Sequence, residues 1–134
     1  FFFLPCPPLL WSSRRTAHLG DMDDRDNEEQ HVFVAEEVQS IIEKVCKACL
    51  AEQGFLHSKI GQWTATIVEN CLKELSAINK PFKYVVTTTL TQKTGASVQT
   101  ATSQYWDVVN DGYVTYKYEN DQMQCLTTVY GISI

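Results

Sequence analysis

The hydrophobic pattern of the chain changes within residues 76–92, SAINKPFKYVVTTTLTQ. Before Pro81, apolar residues recur every three or four positions, which is the spacing of an amphipathic helix. After Pro81 the pattern alternates, and one face of the predicted strand would carry Phe82, Tyr84, Val86, Thr88 and Leu90. Because proline cannot continue a helix, this stretch divides the chain into a helical part and a β part.

Two helices are predicted in the helical part. The first extends from about Val34 to Glu52 and is stopped by Gly54. The second takes Ser58 as its N-cap and ends just before Pro81. The apolar stripes that would face a core are Val34, Val38, Ile41, Ile42, Val45 and Cys49 in the first helix, and Ile60, Trp63, Ile67, Cys71, Leu75 and Ile78 in the second.

Four β segments are predicted in the rest of the chain, separated by glycine-containing or polar turns. They are Phe82–Gln92, Ser97–Trp106, Tyr113–Tyr118 and Met123–Ile132. Two helices followed by four strands predict an α+β domain, in which the two N-terminal helices pack on one face of a four-stranded antiparallel sheet.

The segment Ser97–Trp106, SVQTATSQYW, differs from the other three strands. Its β-branched and aromatic residues suit strand pairing, and it has no proline, but neither of its faces is apolar enough to lie over a core. Such a segment is either an ordinary polar edge strand or a strand that pairs with another chain. Composition alone favours the ordinary edge strand.

Acidic residues are concentrated near the N-terminus. Eight of the sixteen lie between Asp21 and Glu37, and the net charge is −5. This balance argues against nucleic acid as a partner, because phosphate binding needs a basic surface. We interpret residues 22–32 as an acidic disordered leader, with a docking strip for a basic partner as the alternative.

Residues 1–21 are kept apart from the fold. Prolines at positions 5, 7 and 8 interrupt any helix, and the first arginines follow the apolar part, which is the reverse of a signal peptide. Its apolar part, roughly 11 residues, is also shorter than the about 20 residues that a membrane span needs, so no membrane insertion is expected. We interpret it as a non-native or disordered extension, with a degenerate targeting peptide as the alternative, which leaves residues 33–134 as the folded domain.

The cysteines and aromatic residues offer no convincing catalytic, metal or cofactor site. The five cysteines are odd in number, which fits reduced thiols in the cytosol better than a disulfide framework. Cys46 and Cys49 form a CxxC pair, but late in the first helix, where the helix dipole does not activate a thiol. No second Cys or His pair stands at zinc-ligand spacing. Core packing is therefore favoured for this pair, and a small thiol enzyme is the alternative; Trp63 and Trp106 are read as core anchors.

Several stretches, taken together, are similar to the Tctex-type dynein light chains. They occur in the family's order and spacing from about His31 onward, and Met22 falls where members of the family typically begin. The matching stretches are FVAEEV at 33–38, HSKIGQWT at 57–64, KPFKYVVT at 80–87, QKTGA at 92–96, TATSQYWD at 100–107, DGYVTYKYEN at 111–120 and YGISI at 130–134.

This resemblance implies a non-catalytic light chain of the dynein motor complex, associated with microtubules in the cytoplasm. It implies a strand-exchanged homodimer in which Ser97–Trp106 passes to the other protomer, anchored by Tyr105 and Trp106. It also implies that the dynein intermediate chain, and cargo proteins, add a β-strand in a groove at the dimer boundary. The groove would be lined by Val98, Gln99, Thr100, Ala101, Thr102 and Ser103. An adaptor of the same fold that works outside the motor is the alternative.

Overall fold

The structure, a computed structural model, describes residues 32–134. Two α-helices come first, and a single 3-10 turn, His57–Lys59, leads into the second of them. Three strands follow. The bounds are Ala35–Leu50 for α1, Ile60–Ala77 for α2, Phe82–Gln92 for β1, Gly112–Glu119 for β2 and Met123–Ser133 for β3.

The three strands form an antiparallel sheet in the order β1-β3-β2. The central strand is β3, and it pairs along its whole length with β1, from Phe82 opposite Ser133 to Gln92 opposite Met123. On its other side it pairs with β2, beginning with Gly112 opposite Gly131. Each outer strand therefore has one edge that no strand of the described chain occupies.

Both helices pack on the same face of the sheet, with α1 over β2 and α2 over β1. The apolar stripes of the helices meet the inward side chains of the strands, which alternate with outward ones because successive strand residues point to opposite faces. The fully buried side chains of this core are Ile42, Cys46, Leu50, Ile67, Cys71, Leu75, Met123, Cys125, Thr127 and Val129.

The predicted α+β class, with two helices on an antiparallel sheet, is confirmed. Phe82–Gln92 is a strand with the predicted bounds, and each of the two C-terminal strands is slightly longer than predicted. The sheet of the described chain has three strands rather than four, because Ser97–Trp106 forms no strand in it. This segment has few apolar side chains with which to hold itself to its own sheet.

Two predicted helix signals are wrong. Helix α1 ends at Leu50, and the left-handed residue that follows it is Glu52, at φ 62°, rather than Gly54. Ser58 is not an N-cap, because it lies inside the 3-10 turn and makes no capping hydrogen bond to α2. That turn already supplies the start of the helix, through a 3.0 Å hydrogen bond from Lys59 N to Leu56 O. The interpretations of residues 1–21 and of most of the acidic leader concern residues outside the described range.

Candidate partner-binding face

The sheet has a second face, turned away from the helices, which we call the outer face. It is rich in threonine. Its middle positions carry only hydroxyl or apolar side chains, and its charged residues lie toward its two ends. Its residues are Lys83, Val85, Thr87, Thr89 and Thr91 of β1, Tyr113, Thr115, Lys117 and Glu119 of β2, and Gln124, Leu126, Thr128, Tyr130 and Ile132 of β3. No helix of the described chain covers this face.

The Ser97–Trp106 segment runs across the outer face without pairing to it. A cleft of about 220 Å³ separates Val98 and Thr100 from the sheet, with Leu126 in its floor. A second cleft of about 330 Å³ continues past Thr100, Ala101 and Thr102 toward the tyrosines of β2 and β3. The segment and the sheet thus enclose a shallow groove that is lined by methyl and hydroxyl groups.

An aromatic cluster holds one end of the segment. The ring centroid of Trp106 lies 6.1 Å from that of Tyr113 and 6.2 Å from that of Tyr130. The two tyrosines face each other across β2 and β3, and their rings stack with centroids 6.0 Å apart. In addition, the hydroxyl of Tyr130 donates a 2.8 Å hydrogen bond to Thr102 Oγ1. The segment is therefore attached to the sheet at its Trp106 end.

The residues expected to line the groove are close together, but they do not all face it. Val98, Thr100, Ala101 and Thr102 line the two clefts, whereas Gln99 and Ser103 line neither. All six are exposed in the single chain. Of the two expected anchors, Trp106 packs against the tyrosines, while Tyr105 is fully exposed to solvent.

Sequence reasoning missed the other wall of the groove. Thr89, Leu126 and Tyr130 line it as much as the segment does, yet the outward positions of the strands look like solvated positions in an alternating pattern. The signal that was present is chemical: the middle of this face, formed by Val85, Thr87, Tyr113, Thr115, Thr128 and Tyr130, carries no charged side chain.

Comparison with known proteins decides the family. A family model described as the Tctex-1 family matches residues 32–132, which is nearly all of the described chain. This chain belongs to the Tctex-1 family.

Individual relatives agree with this assignment. A protein of Drosophila melanogaster named "Dynein light chain Tctex-type" is 37% identical over 84% of this chain and 100% of its own length. The protein of that name from Dictyostelium discoideum is 40% identical over 76% of this chain and 93% of its own. Human "Dynein light chain Tctex-type 3" is 38% identical over 76% of this chain and 88% of its own.

The four cysteines in the described part of this Tctex-1 family member lie in or beside the core. Cys46 and Cys71 are fully buried, and Cys49 is partly buried with its thiol 3.9 Å from the carbonyl oxygen of Trp63. A hydrogen bond with Cys125, together with burial, raises the pKa of Cys46, and burial raises the pKa of Cys71 to about 11. A nucleophilic thiol needs the opposite shift, so the CxxC pair has the properties of core residues.

Two features are absent from residues 32–134. No group of three or more His, Cys, Asp or Glu side chains within that range is arranged to hold a metal ion. None of the helices there combines the length and the apolar character needed to cross a bilayer.

Proposed function

We propose that the chain is a non-catalytic light chain of the dynein motor complex, acting on microtubules in the cytoplasm. It forms a homodimer by exchanging Ser97–Trp106, and each groove of the dimer binds the dynein intermediate chain as an added β-strand. Cargo proteins use the same surface. The family assignment and the names of the relatives support the light-chain role.

The observation that carries this proposal is the state of Ser97–Trp106 in the single chain. Its residues suit a β-strand, but its backbone pairs with no strand of the described chain, and its side chains from Val98 to Ser103 are exposed. The side-chain nitrogen of Gln104 is buried and has no hydrogen-bond partner there. Because buried polar groups are nearly always paired in stable folds, and an unpaired strand offers its backbone to another chain, we infer that the missing partners lie in a second copy.

The sheet has free edges with which an exchanged strand can pair. Strands β1 and β2 each have an unoccupied edge, and an exchanged strand that pairs with one of them extends the partner's sheet to four strands. A two-fold axis then places each segment on the other protomer, and we infer that the outer faces turn toward each other because the segment crosses that face. This arrangement restores the four-stranded sheet expected from the sequence, with one strand contributed by the partner.

Binding of the intermediate chain follows from the same geometry. An exchanged strand at the edge of a sheet presents its second row of N–H and C=O groups to a visiting extended chain, which gives sequence-tolerant affinity. The hydroxyl and methyl groups of Thr100 and Thr102 then select among side chains. Two symmetric grooves hold two intermediate chains, so that two weak contacts act together.

Sedimentation of the purified protein, with and without an extended intermediate-chain peptide, tests this mechanism. We expect a dimer that binds one peptide per protomer. Thr100→Pro removes one backbone N–H from the segment and should weaken both dimer and peptide binding. Thr100→Ala keeps that N–H and should dimerise as the native chain does, while changing only the side-chain preference of the groove. A native protein that stays monomeric at high micromolar concentration would refute the exchange. A dimer that ignores the intermediate chain but captures other proteins would favour an adaptor outside the motor.

A further inference from the structure

Two aspartates, Asp107 and Asp111, lie in the loop that follows the Ser97–Trp106 segment, and they join this segment to the central strand. We propose that Asp107 and Asp111, which we call the aspartate bridge, fix the direction in which this segment leaves the domain. The bridge thereby positions Trp106 for exchange with a second copy. This inference rests on the proposed dimer and adds the residues that prepare the chain for it.

The carboxylate of Asp111 makes the connection. Its Oδ1 accepts a 2.7 Å hydrogen bond from Ser133 N, at the end of β3. Its Oδ2 accepts a 2.9 Å hydrogen bond from Asp107 N, the residue directly after Trp106. One side chain therefore joins the end of the segment to the strand at the centre of the sheet.

Asp107 stiffens the loop between the two aspartates. Its carboxylate accepts hydrogen bonds from Val109 N at 3.0 Å and from the Asn110 side chain at 2.7 Å. Asp111 N donates a 2.8 Å hydrogen bond back to the carbonyl oxygen of Asp107. The N–H of Val109 and the amide of Asn110 hold the pKa of Asp107 below its usual value, so that it accepts these bonds as a charged group at neutral pH.

The aromatic cluster depends on the same bridge. Trp106 precedes Asp107, and Tyr113 follows Asp111 by two residues. Both rings are therefore carried by backbone that the bridge holds, and Tyr113 stacks on Tyr130 of the central strand. Fixing the loop fixes the place where the indole meets the two tyrosines.

The other end of the segment is held differently. Lys93 N bonds to Gln122 O at 2.8 Å, and Gly95 then turns the chain at φ 84°. Between that turn and Trp106, the hydrogen bond from Tyr130 to Thr102 is the only one that joins the segment to the sheet in the part of the chain that the structure describes. An exchanging segment thus has one anchored end, at the aspartate bridge, and a lightly held remainder.

Asp111→Asn tests the inference. The N–H groups of Asp107 and Ser133 each bond to a different oxygen of Asp111, and an amide side chain has only one oxygen to accept them. Asp121→Asn is the matched control, since Asp121 is exposed in the turn between β2 and β3 and its carboxylate accepts no hydrogen bond among the described residues. The measurements are the dimer dissociation constant by sedimentation and the indole N–H resonance of Trp106, which Trp106→Phe assigns. Amide exchange in α1 and α2 reports whether the core is intact.

We expect Asp111→Asn to raise the dissociation constant about tenfold or more and to shift the Trp106 resonance, with the core amides still protected. Asp107→Asn should act in the same direction but less, and Asp121→Asn should match the native chain. Native dimerisation and an unchanged Trp106 resonance in Asp111→Asn would overturn the inference, as would core protection that falls in parallel with dimerisation. If the native chain fails to dimerise, the exchange fails instead, and the Trp106 resonance of the monomer still decides whether the bridge positions the indole.

Discussion

The ring of Phe33 lies against two glycines, Gly112 and Gly131, that face each other across β2 and β3. A Cβ at Gly131 would stand 2.5 Å from ring atom Cδ2 of Phe33, and a Cβ at Gly112 would overlap the other side of the ring. The ring also meets Phe82 edge-on, with centroids 6.1 Å apart. Because both glycines lack a side chain, they leave a slot that holds Phe33, two residues before α1, against the sheet.

Alanine at either glycine should lower the free energy of unfolding by about 1–3 kcal/mol, the usual cost of overpacking. Gly61→Ala is the matched control, because a Cβ there meets nothing within 4 Å. In the first turn of α2 it should be neutral or gain up to about 1 kcal/mol. Urea unfolding measures all three variants. If Gly112→Ala proves as stable as the native chain, the slot does not hold the ring. The double variant Gly112→Ala with Phe33→Ala should lose less free energy of unfolding than the two single variants lose together.

The thiols give a second prediction at this scale. In a Cys6→Ser background, we expect the cysteines at 46, 49, 71 and 125 to react with iodoacetamide at pH 8 far more slowly than free cysteine. Burial keeps the reagent away from these thiols, and it raises the pKa of Cys49 and Cys71. The same chain in guanidinium chloride serves as the control and should react rapidly at all four. One fast thiol at Cys46 or Cys49 in the folded protein would restore the thiol-enzyme alternative.

The raised thiol pKa values also predict how stability changes with pH. Cys71 stays protonated in the folded protein up to a pKa of about 11, whereas a thiol in the unfolded chain ionises near pH 8.5. The stabilisation is therefore complete below about pH 8.5 and declines as the pH rises toward 11. We expect the urea midpoint to fall over this interval, and Cys71→Ala to show a shallower fall. Equal slopes in the two proteins would show that Cys71 does not contribute.

At the scale of elements, the sequence predicts an element best where a local signal, such as a proline, and the pattern of core burial give the same boundary. Phe82–Gln92 was predicted with its observed bounds, because Pro81 ends the helix and the alternation matches burial on one face. The start of α2 was missed, since a 3-10 turn took the place of the expected Ser58 cap. The wall of the groove was missed because the threonines of the outer face belong to three strands that meet only after folding.

Ser97–Trp106 marks the limit of prediction from one chain. Its composition allows strand pairing but does not identify the strand it pairs with, and no strand of the described chain pairs with it. If the partner is a second copy, the backbone amides of this segment should gain protection with concentration. We expect residues 97–103 to exchange within seconds in dilute solution and much more slowly where the dimer dominates. The amides of β3 serve as the internal control, because their bonds to β1 and β2 lie within one chain. Equal exchange of 97–103 at both concentrations would exclude strand exchange.

At the scale of the whole molecule, the fold has two unlike sides. The helices bury one face of the sheet, while the outer face remains open apart from the loosely attached segment. A three-stranded sheet with one open face, uncharged in its middle, supports the proposed association over a monomeric state. The names of the relatives support the proposed light-chain role, and this asymmetry supports the proposed association.

A lysine on each side of the molecule tests that conclusion. Val85, 48% exposed, lies on the outer face opposite Tyr130, and Leu72, 40% exposed, lies on α2. The two residues are alike in hydrophobicity and exposure, so Val85→Lys and Leu72→Lys differ chiefly in the side they change. If the outer faces meet in the dimer, Val85→Lys brings two like charges together across the two-fold axis and weakens association about tenfold or more. Leu72→Lys should dimerise as the native chain does. Sedimentation equilibrium measures both, and a stronger effect of Leu72→Lys would move the interface to the helical side.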